Sequence, residues 1–369
     1  MTLILSLAAA ALLAAHLVTV ALYLRRLDRP RPGPAAAGLP GVTLLRPVCG
    51  LDPFDAETLG SSFALDYPDF EVIFCAQTDS DPVLPLIRDL IAAHPGVRAR
   101  LMIGSDPITA NPKLNNLWKG WQAAGSDWIC MADSNLLLPP AYLREVMAQW
   151  GPGVGLVSSP PVGIRPEGWG GHLECAFLNA NQARLQLAAD SLGNGYAQGK
   201  TMLTHRAVLE RAGGFAALGG LLAEDAAATR LIRGLGLRVA LTPLPYAQPI
   251  GHRSLRQVWE RQLRWSRVRR DGFPGLFALE ILNGAALPGL LALGAVLAGG
   301  QSLALLPGYL GLWYLAEALL IRRAGWPGGW RDLLALPLRD AMLPVLWLTT
   351  FARRGFVWRG TAMTSAAAQ

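Results

Sequence analysis

Thr2 to Leu24 is an apolar run with one histidine and no charged residue, and it settles the first question about this chain. At about 1.5 Å per residue, a helix of that length spans the roughly 30 Å hydrocarbon layer of a bilayer. A cleaved signal peptide is the rival reading, but the run is too long for its apolar core and the basic cluster follows it instead of preceding it. A retained anchor is therefore expected over residues 1–25. Arg25, Arg26, Arg29 and Arg31 follow in a Pro/Ala/Gly-rich linker, 26–40. By the positive-inside rule they leave the next domain facing the cytosol.

The C-terminal region, 276–369, is apolar again. Ile281 to Gly299 and Leu303 to Ile321 are expected spans joined by an uncharged turn, and Arg322 and Arg323 mark a return to the first side. A third run, Leu333 to Phe351, is interrupted by Pro337, Arg339, Asp340 and Pro344, with Arg331 before it and Arg353 and Arg354 after it. Because both flanks are basic, a re-entrant or interfacial segment is expected there in preference to a crossing.

With 369 residues, 52% of them hydrophobic, the chain can bury a soluble domain of roughly 200 to 250 residues and still supply these segments. Over 41–254, short β-rich runs alternate with helical stretches: GVTLLRPV (41–48), FEVIFCAQ (70–77), RARLMIGS (98–105) and DWICMADS (127–134). That alternation predicts an α/β domain with a mixed, mainly parallel sheet, its ligands beyond the carboxyl ends of the strands. The formal charge is +7, and the basic residues gather beside apolar segments. The expected partner is a membrane, and nucleic acid is excluded. Cys49, Cys75, Cys130 and Cys175 lack the close pairing of a zinc or redox motif and read as reduced, small apolar residues.

Several polar residues fall where such a sheet binds ligands. Asp79 and Asp81, in TDSDP after the second run, would face a nucleotide's base or ribose, although an ordinary turn also accounts for them. Asp133 closes DWICMADSN, and one hard carboxylate with phosphates and water suits Mg²⁺ or Mn²⁺ held against a diphosphate. Glu224 and Asp225 open a helical stretch, where acidic residues are favoured in any case; one of them can serve as a general base toward an attacking hydroxyl. In SLRQVWERQLRWSRVRRDGFP, an amphipathic interfacial helix is expected over 255–275. Within it Arg261 and Arg264 suit a diphosphate, and Trp265 offers an acceptor a flat apolar wall. Lysine occurs only at Lys113, Lys119 and Lys200, so Lys113 in NPKLNN and Lys200 in QGKTML are candidates for a compact ammonium against phosphate. His252, standing alone, reads as structural.

RPVCGLDP, LDYPDFEV, DSDP, NPKLNNL, ADSN, AED and RQLRW, in this order between about Val42 and Phe273, resemble the ceramide glucosyltransferase family of inverting, A-type-fold enzymes. The resemblance implies a UDP-sugar donor, a divalent metal and a membrane-lipid acceptor. It carries three aspartates onto Asp81, Asp133 and Asp225, and an (Arg/Gln)-x-x-Arg-Trp motif onto Arg261, Arg264 and Trp265. Glucose transfer from UDP-glucose to ceramide is the activity it implies.

Departures leave other acceptors open. Animal members carry lysine where this chain has Arg46, and a His-Pro pair near NANQAR (179–184). QGKTML is more similar to bacterial relatives, some of which glycosylate diacylglycerol, at times more than once; a branch acting on hopanoids is similar too. UDP-galactose and UDP-N-acetylglucosamine are the alternative donors. An inactive membrane adaptor is disfavoured by the presence of Asp81, Asp133, Asp225 and Arg264, and a phosphotransferase by the lack of a Gly-x-x-x-x-Gly-Lys-Ser/Thr loop. Alanine and arginine richness points to a bacterial inner membrane.

Overall fold

Each of the four β-rich runs becomes a strand. The structure, a computed structural model, describes residues 1–29 and 38–352, with the backbone of 356–358 and 361–363. β1 (Val42–Pro47), β2 (Phe70–Ala76), β3 (Arg98–Ile103) and β4 (Trp128–Ala132) pair in parallel in the order β3-β2-β1-β4. Leu44, Leu45, Val72, Ile73, Ile129 and Cys130 have no exposed surface. Burial on both faces is why these strands read as unbroken apolar runs.

Five strands follow: β5 (Val154–Ser158), β6 (Pro161–Glu167), β7 (Thr201–His205), β8 (Arg238–Leu241) and β9 (Tyr246–His252). The main sheet continues β4-β7-β5-β8, with β7 antiparallel to both neighbours and β5 parallel to β8. It is the mixed, mainly parallel sheet expected. β6 pairs with β9, and β10 (Phe356–Trp358) with β11 (Thr361–Met363), in separate two-stranded sheets. The helix Pro112–Ala123 lies close against the main sheet, because a Cβ on Gly120 would come within 2.6 Å of Cys75 Sγ. Strand order reverses between β1 and β4, and beyond the carboxyl ends of such strands these sheets bind ligands.

The chain forms two units. Among the described residues the α/β unit takes 38–161 and 192–249, and the helical unit takes 1–29, 162–191 and 250–352. Residues 162–191 therefore interrupt the continuous range 41–254 expected for the catalytic domain. Their helices bury Leu173 and Phe177 with Val258 and Leu346, and Ala176 and Ala180 with Ile321, Ala335 and Leu336, all inside the helical unit.

Within the helical unit, Thr2–Leu27 and Trp330–Thr350 are long and apolar enough to cross a membrane. Pro274–Leu282 and Ala286–Ala298, over the span expected at 281–299, are long and apolar enough only together and are bent by 51°, as in a broken span or a re-entrant loop. Leu305–Ala324 is a helix over the expected 303–321 run. Trp330–Thr350 is one continuous helix in spite of Pro337 and Pro344. The two charges at its middle are satisfied internally: Arg339 Nη2 donates to both Glu317 oxygens at 3.1 and 3.0 Å, and Asp340 accepts from Ala285 N at 2.8 Å and Tyr314 Oη at 3.2 Å. In Leu255–Gly272 the buried side is Val258, Gln262 and Ser266, at i, i+4 and i+8, while Leu255 is exposed. Linker residues 30–37, with Arg31, and the basic pair Arg353 and Arg354 lie outside the described residues.

Candidate active site

NPKLNN builds one wall of the site. Asn111 caps the helix Pro112–Ala123 by accepting from Lys113 N at 2.9 Å, and Pro112 suits the first turn because it has no N–H to satisfy. Asn115 Oδ1 accepts from Thr109 N, and Asn116 Nδ2 donates to Cys75 O at 2.7 Å, tying the helix start to β2. Lys113 is thereby aimed across the strand ends. Its Nζ is 2.7 Å from Asp133 Oδ1 and 2.6 Å from Glu224 Oε1, and donates to Gly199 O at 2.9 Å.

Strand register supplies the second lysine. β4 and β7 run antiparallel with Ala132 opposite Thr201, so the next pair out is Asp133 and Lys200, joined by Asp133 N donating to Lys200 O at 3.1 Å. Lys200 Nζ then donates to Asp133 Oδ2 at 2.9 Å and to Asn135 Oδ1 at 2.8 Å. Arg46, fully buried in β1, braces the loop behind them by donating Nη2 to Thr58 O, Ser134 O and Leu136 O. Burial pushes the Arg46 guanidinium down to about 10, and Tyr142 and Asp133 limit the fall.

Glu224 and Asp225 begin the helix Glu224–Gly234. Glu224 is held by Lys113 and by Asn111 Nδ2 at 3.2 Å. Asp225 Oδ2 accepts from Gly199 N at 2.9 Å and Oδ1 from Ala226 N at 2.7 Å. Desolvation, with the neighbouring Glu224 charge, pushes the Asp225 carboxyl up to about 6, against those amides and Lys113. Asp133 moves the other way: burial would raise it, but Lys113 and Lys200 hold it well below the usual carboxylate range. Lys113 is likewise held above its ordinary value by Asp133 and Glu224 in spite of burial. One cluster thus holds a firmly ionised carboxylate and another poised near neutrality. Such a separation marks acid/base sites.

Asp133, Lys113 and Asp225, three of the expected residues, meet here through their shared contacts. Lys200, Glu224, Asn111 and Gly199 complete the cluster; Gly199 and Asn111 were not singled out from the sequence. A Cβ on Gly199 would come within 2.8 Å of Glu224 Oε1. Asp81 lies in the loop after β2, a strand that β1 separates from β4 and Asp133. Its carboxylate accepts from Gly50 N at 3.0 and 3.1 Å and from Val83 N at 3.1 Å, joining the loops after β1 and β2. Arg261, Arg264 and Trp265 belong to the helical unit. There Arg261 pairs with buried Glu174 at 2.6 Å and its guanidinium lies 5.4 Å from the Trp265 ring centroid. Trp265 packs on Cys175, Leu178 and Ile250.

Asp133 and Asn135 suit a divalent cation in one respect: their side-chain oxygens already converge on a single positive group, the Lys200 ammonium. Among the described residues no three acidic, histidine or cysteine side chains gather at one point. The protein would therefore supply Asp133 and Asn135, and phosphate and water the remaining ligands, as is usual for Mg²⁺ bound with a nucleotide.

Mannosyltransferase PcManGT from Pyrobaculum calidifontis, solved with GDP-Man and Mn²⁺, aligns over 94% of this chain and 97% of its own at TM-score 0.52 and 22% identity. Together with the sheet topology, this likeness defines an A-type glycosyltransferase fold. The model of glycosyl transferase family 21 matches residues 4–367, and the chain belongs to that family. Ceramide glucosyltransferase 1 of Caenorhabditis elegans is 27% identical over 72% of this chain, and ceramide glucosyltransferase of Komagataella phaffii 31% over 64%. The chain spans 57% and 58% of the length of those two relatives.

Proposed function

We propose that this protein transfers glucose from UDP-glucose to the hydroxyl of ceramide with inversion, as a multi-pass membrane enzyme whose α/β unit faces the cytosol. The observation that carries this reading is the family match together with Asp225, a carboxylate fixed by Gly199 N beside the Lys113–Asp133 pair and raised by burial. A single displacement needs one base to take the acceptor proton as oxygen attacks the anomeric carbon, and a rigidly held carboxylate serves. Lys113 and Lys200 place positive charge where a diphosphate leaves. A Mg²⁺ or Mn²⁺ ion at Asp133 and Asn135 would supply further charge to the departing UDP. In this reading Asp81 meets the nucleotide, Arg261 and Arg264 its diphosphate, and Trp265 the acceptor. The family and the names of its curated relatives support a lipid acceptor.

The test is incubation of membranes carrying the protein with labelled UDP-glucose, UDP-galactose or UDP-N-acetylglucosamine and with ceramide, diacylglycerol or a hopanoid. A product with the mass of monoglucosylceramide is expected. Glycosylation of diacylglycerol or hopanoid alone would remove ceramide from the reading and keep the transferase.

A further inference from the structure

Every side-chain oxygen of the Asp133–Asn135 turn that faces the cluster is bonded to an ammonium. Lys200 Nζ lies 2.9 Å from Asp133 Oδ2 and 2.8 Å from Asn135 Oδ1, and Lys113 Nζ takes Asp133 Oδ1 at 2.7 Å. A divalent cation arriving alone would meet like charge on both sides of the carboxylate it needs. The two lysines are not equivalent. Lys113 also holds Glu224 and Gly199 O, whereas the Lys200 ammonium binds the two oxygens, Asp133 Oδ2 and Asn135 Oδ1, that a metal would use. Strand register fixes the Lys200 backbone opposite Asp133, so the displacement proposed for the ammonium is a change of side-chain rotamer along its four-carbon stem. Phosphate oxygens are suitable new partners for it.

Resting on the nucleotide-sugar reading above, we propose that Lys200 is a built-in place-holder for the divalent cation. Its ammonium fills the Asp133–Asn135 oxygens until a nucleoside diphosphate draws it onto phosphate, so the cation binds with the nucleotide and not before it. Lys200 then contributes twice, by keeping the resting carboxylate compensated and by contacting the diphosphate once displaced. By linkage, whatever factor UDP adds to cation affinity, the cation adds to UDP affinity.

The test measures Mn²⁺ binding to the full chain in detergent by the loss of the free-ion electron paramagnetic resonance signal, with and without UDP. Calorimetry of UDP and a thermal melt accompany each sample. Wild-type protein should bind Mn²⁺ weakly alone and at least about tenfold more tightly with UDP. Lys200→Gln and Lys200→Met should tighten nucleotide-free Mn²⁺ binding by about tenfold and shrink the UDP effect; Lys200→Arg, which keeps the charge, should behave as wild type. If both folded neutral variants bind Mn²⁺ alone no better than wild type, the proposal fails. It also fails, without any variant, if wild-type protein binds Mn²⁺ equally well with and without UDP. UDP binding with no Mn²⁺ uptake overturns the place-holder and leaves the nucleotide reading standing, whereas no UDP binding at all overturns both.

Discussion

Two sets of ion pairs, one in each unit, contain the same number of charges and are built to opposite ends. In the helical unit Arg184 and Arg339 face Glu317 and Asp340, with side-chain exposures of 4% and 1% for the arginines and 0% and 2% for the carboxylates. In the α/β unit Lys113 and Lys200 face Asp133 and Glu224, and Asp133 is 25% exposed. The Arg339 guanidinium spans two carboxylates, Nη2 donating to both Glu317 oxygens and Nε to Asp340, whereas each lysine is a point charge on a flexible stem. The first set is sealed and sustains the fold, and the second opens to solvent and can exchange partners. Asp225 adds to the open set a carboxyl that backbone amides hold beside the lysine cluster.

If the open set is catalytic, Asp225→Asn should lower transfer by about a thousandfold or more, with UDP binding changed little. Radiolabelled transfer and calorimetry on one preparation check this, and retained turnover would remove Asp225 as the base. If the sealed set is structural, Glu317→Ala leaves two arginines with an unpaired charge and should cost about 3–5 kcal/mol of stability. Thermal unfolding in detergent reads this loss; a normal melt with lost activity would move Glu317 into the working machinery.

The pH dependence of kcat/KM sharpens the contrast further. If Asp225 is the base it works only when ionised, so the rate should climb roughly tenfold per pH unit below about 6 and level off above it. Glu224→Gln removes a charge that raises Asp225 and should move that limb to lower pH. Stability responds with the opposite sign. A carboxyl raised in the folded state stabilises fully below its ordinary value near 3.8 and loses that contribution as pH rises through 6. The depressed Asp133 stabilises above its ordinary value and loses this only in strong acid. The smallest effect expected is from Gly199→Ala, whose methyl displaces Glu224 Oε1 from Lys113; about a five- to tenfold loss of transfer, with the melt within a few degrees, would fit.

The strand runs were legible because burial on both faces writes a continuous apolar stretch, as in FEVIFCAQ. Asp133 and Lys113 were reachable for a second reason: one ends such a strand, and the other is one of three lysines in an arginine-rich chain. The pairing of Asp133 with Lys200 was not legible. It depends on β7 entering antiparallel between β4 and β5, and no local period encodes strand order. Gly199 and Asn111 are polar or small residues whose importance comes only from what they approach. Pro337, Arg339, Asp340 and Pro344 pointed to an interrupted segment, because a linear reading prices each charge and proline alone. In the structure Glu317, Tyr314 and Ala285 N, 22 to 55 residues away in sequence, satisfy those charges and the helix runs through.

The paired state of Lys113 and Lys200 also bears on which anions the resting protein ignores. A lone phosphate that drew the Lys200 ammonium away would break its ion pair with Asp133 and bring no cation to replace it. A diphosphate arriving with its own cation returns a partner to every group it disturbs. On the nucleotide-sugar reading, the paired lysines would favour a diphosphate that brings a cation over a phosphate that brings none.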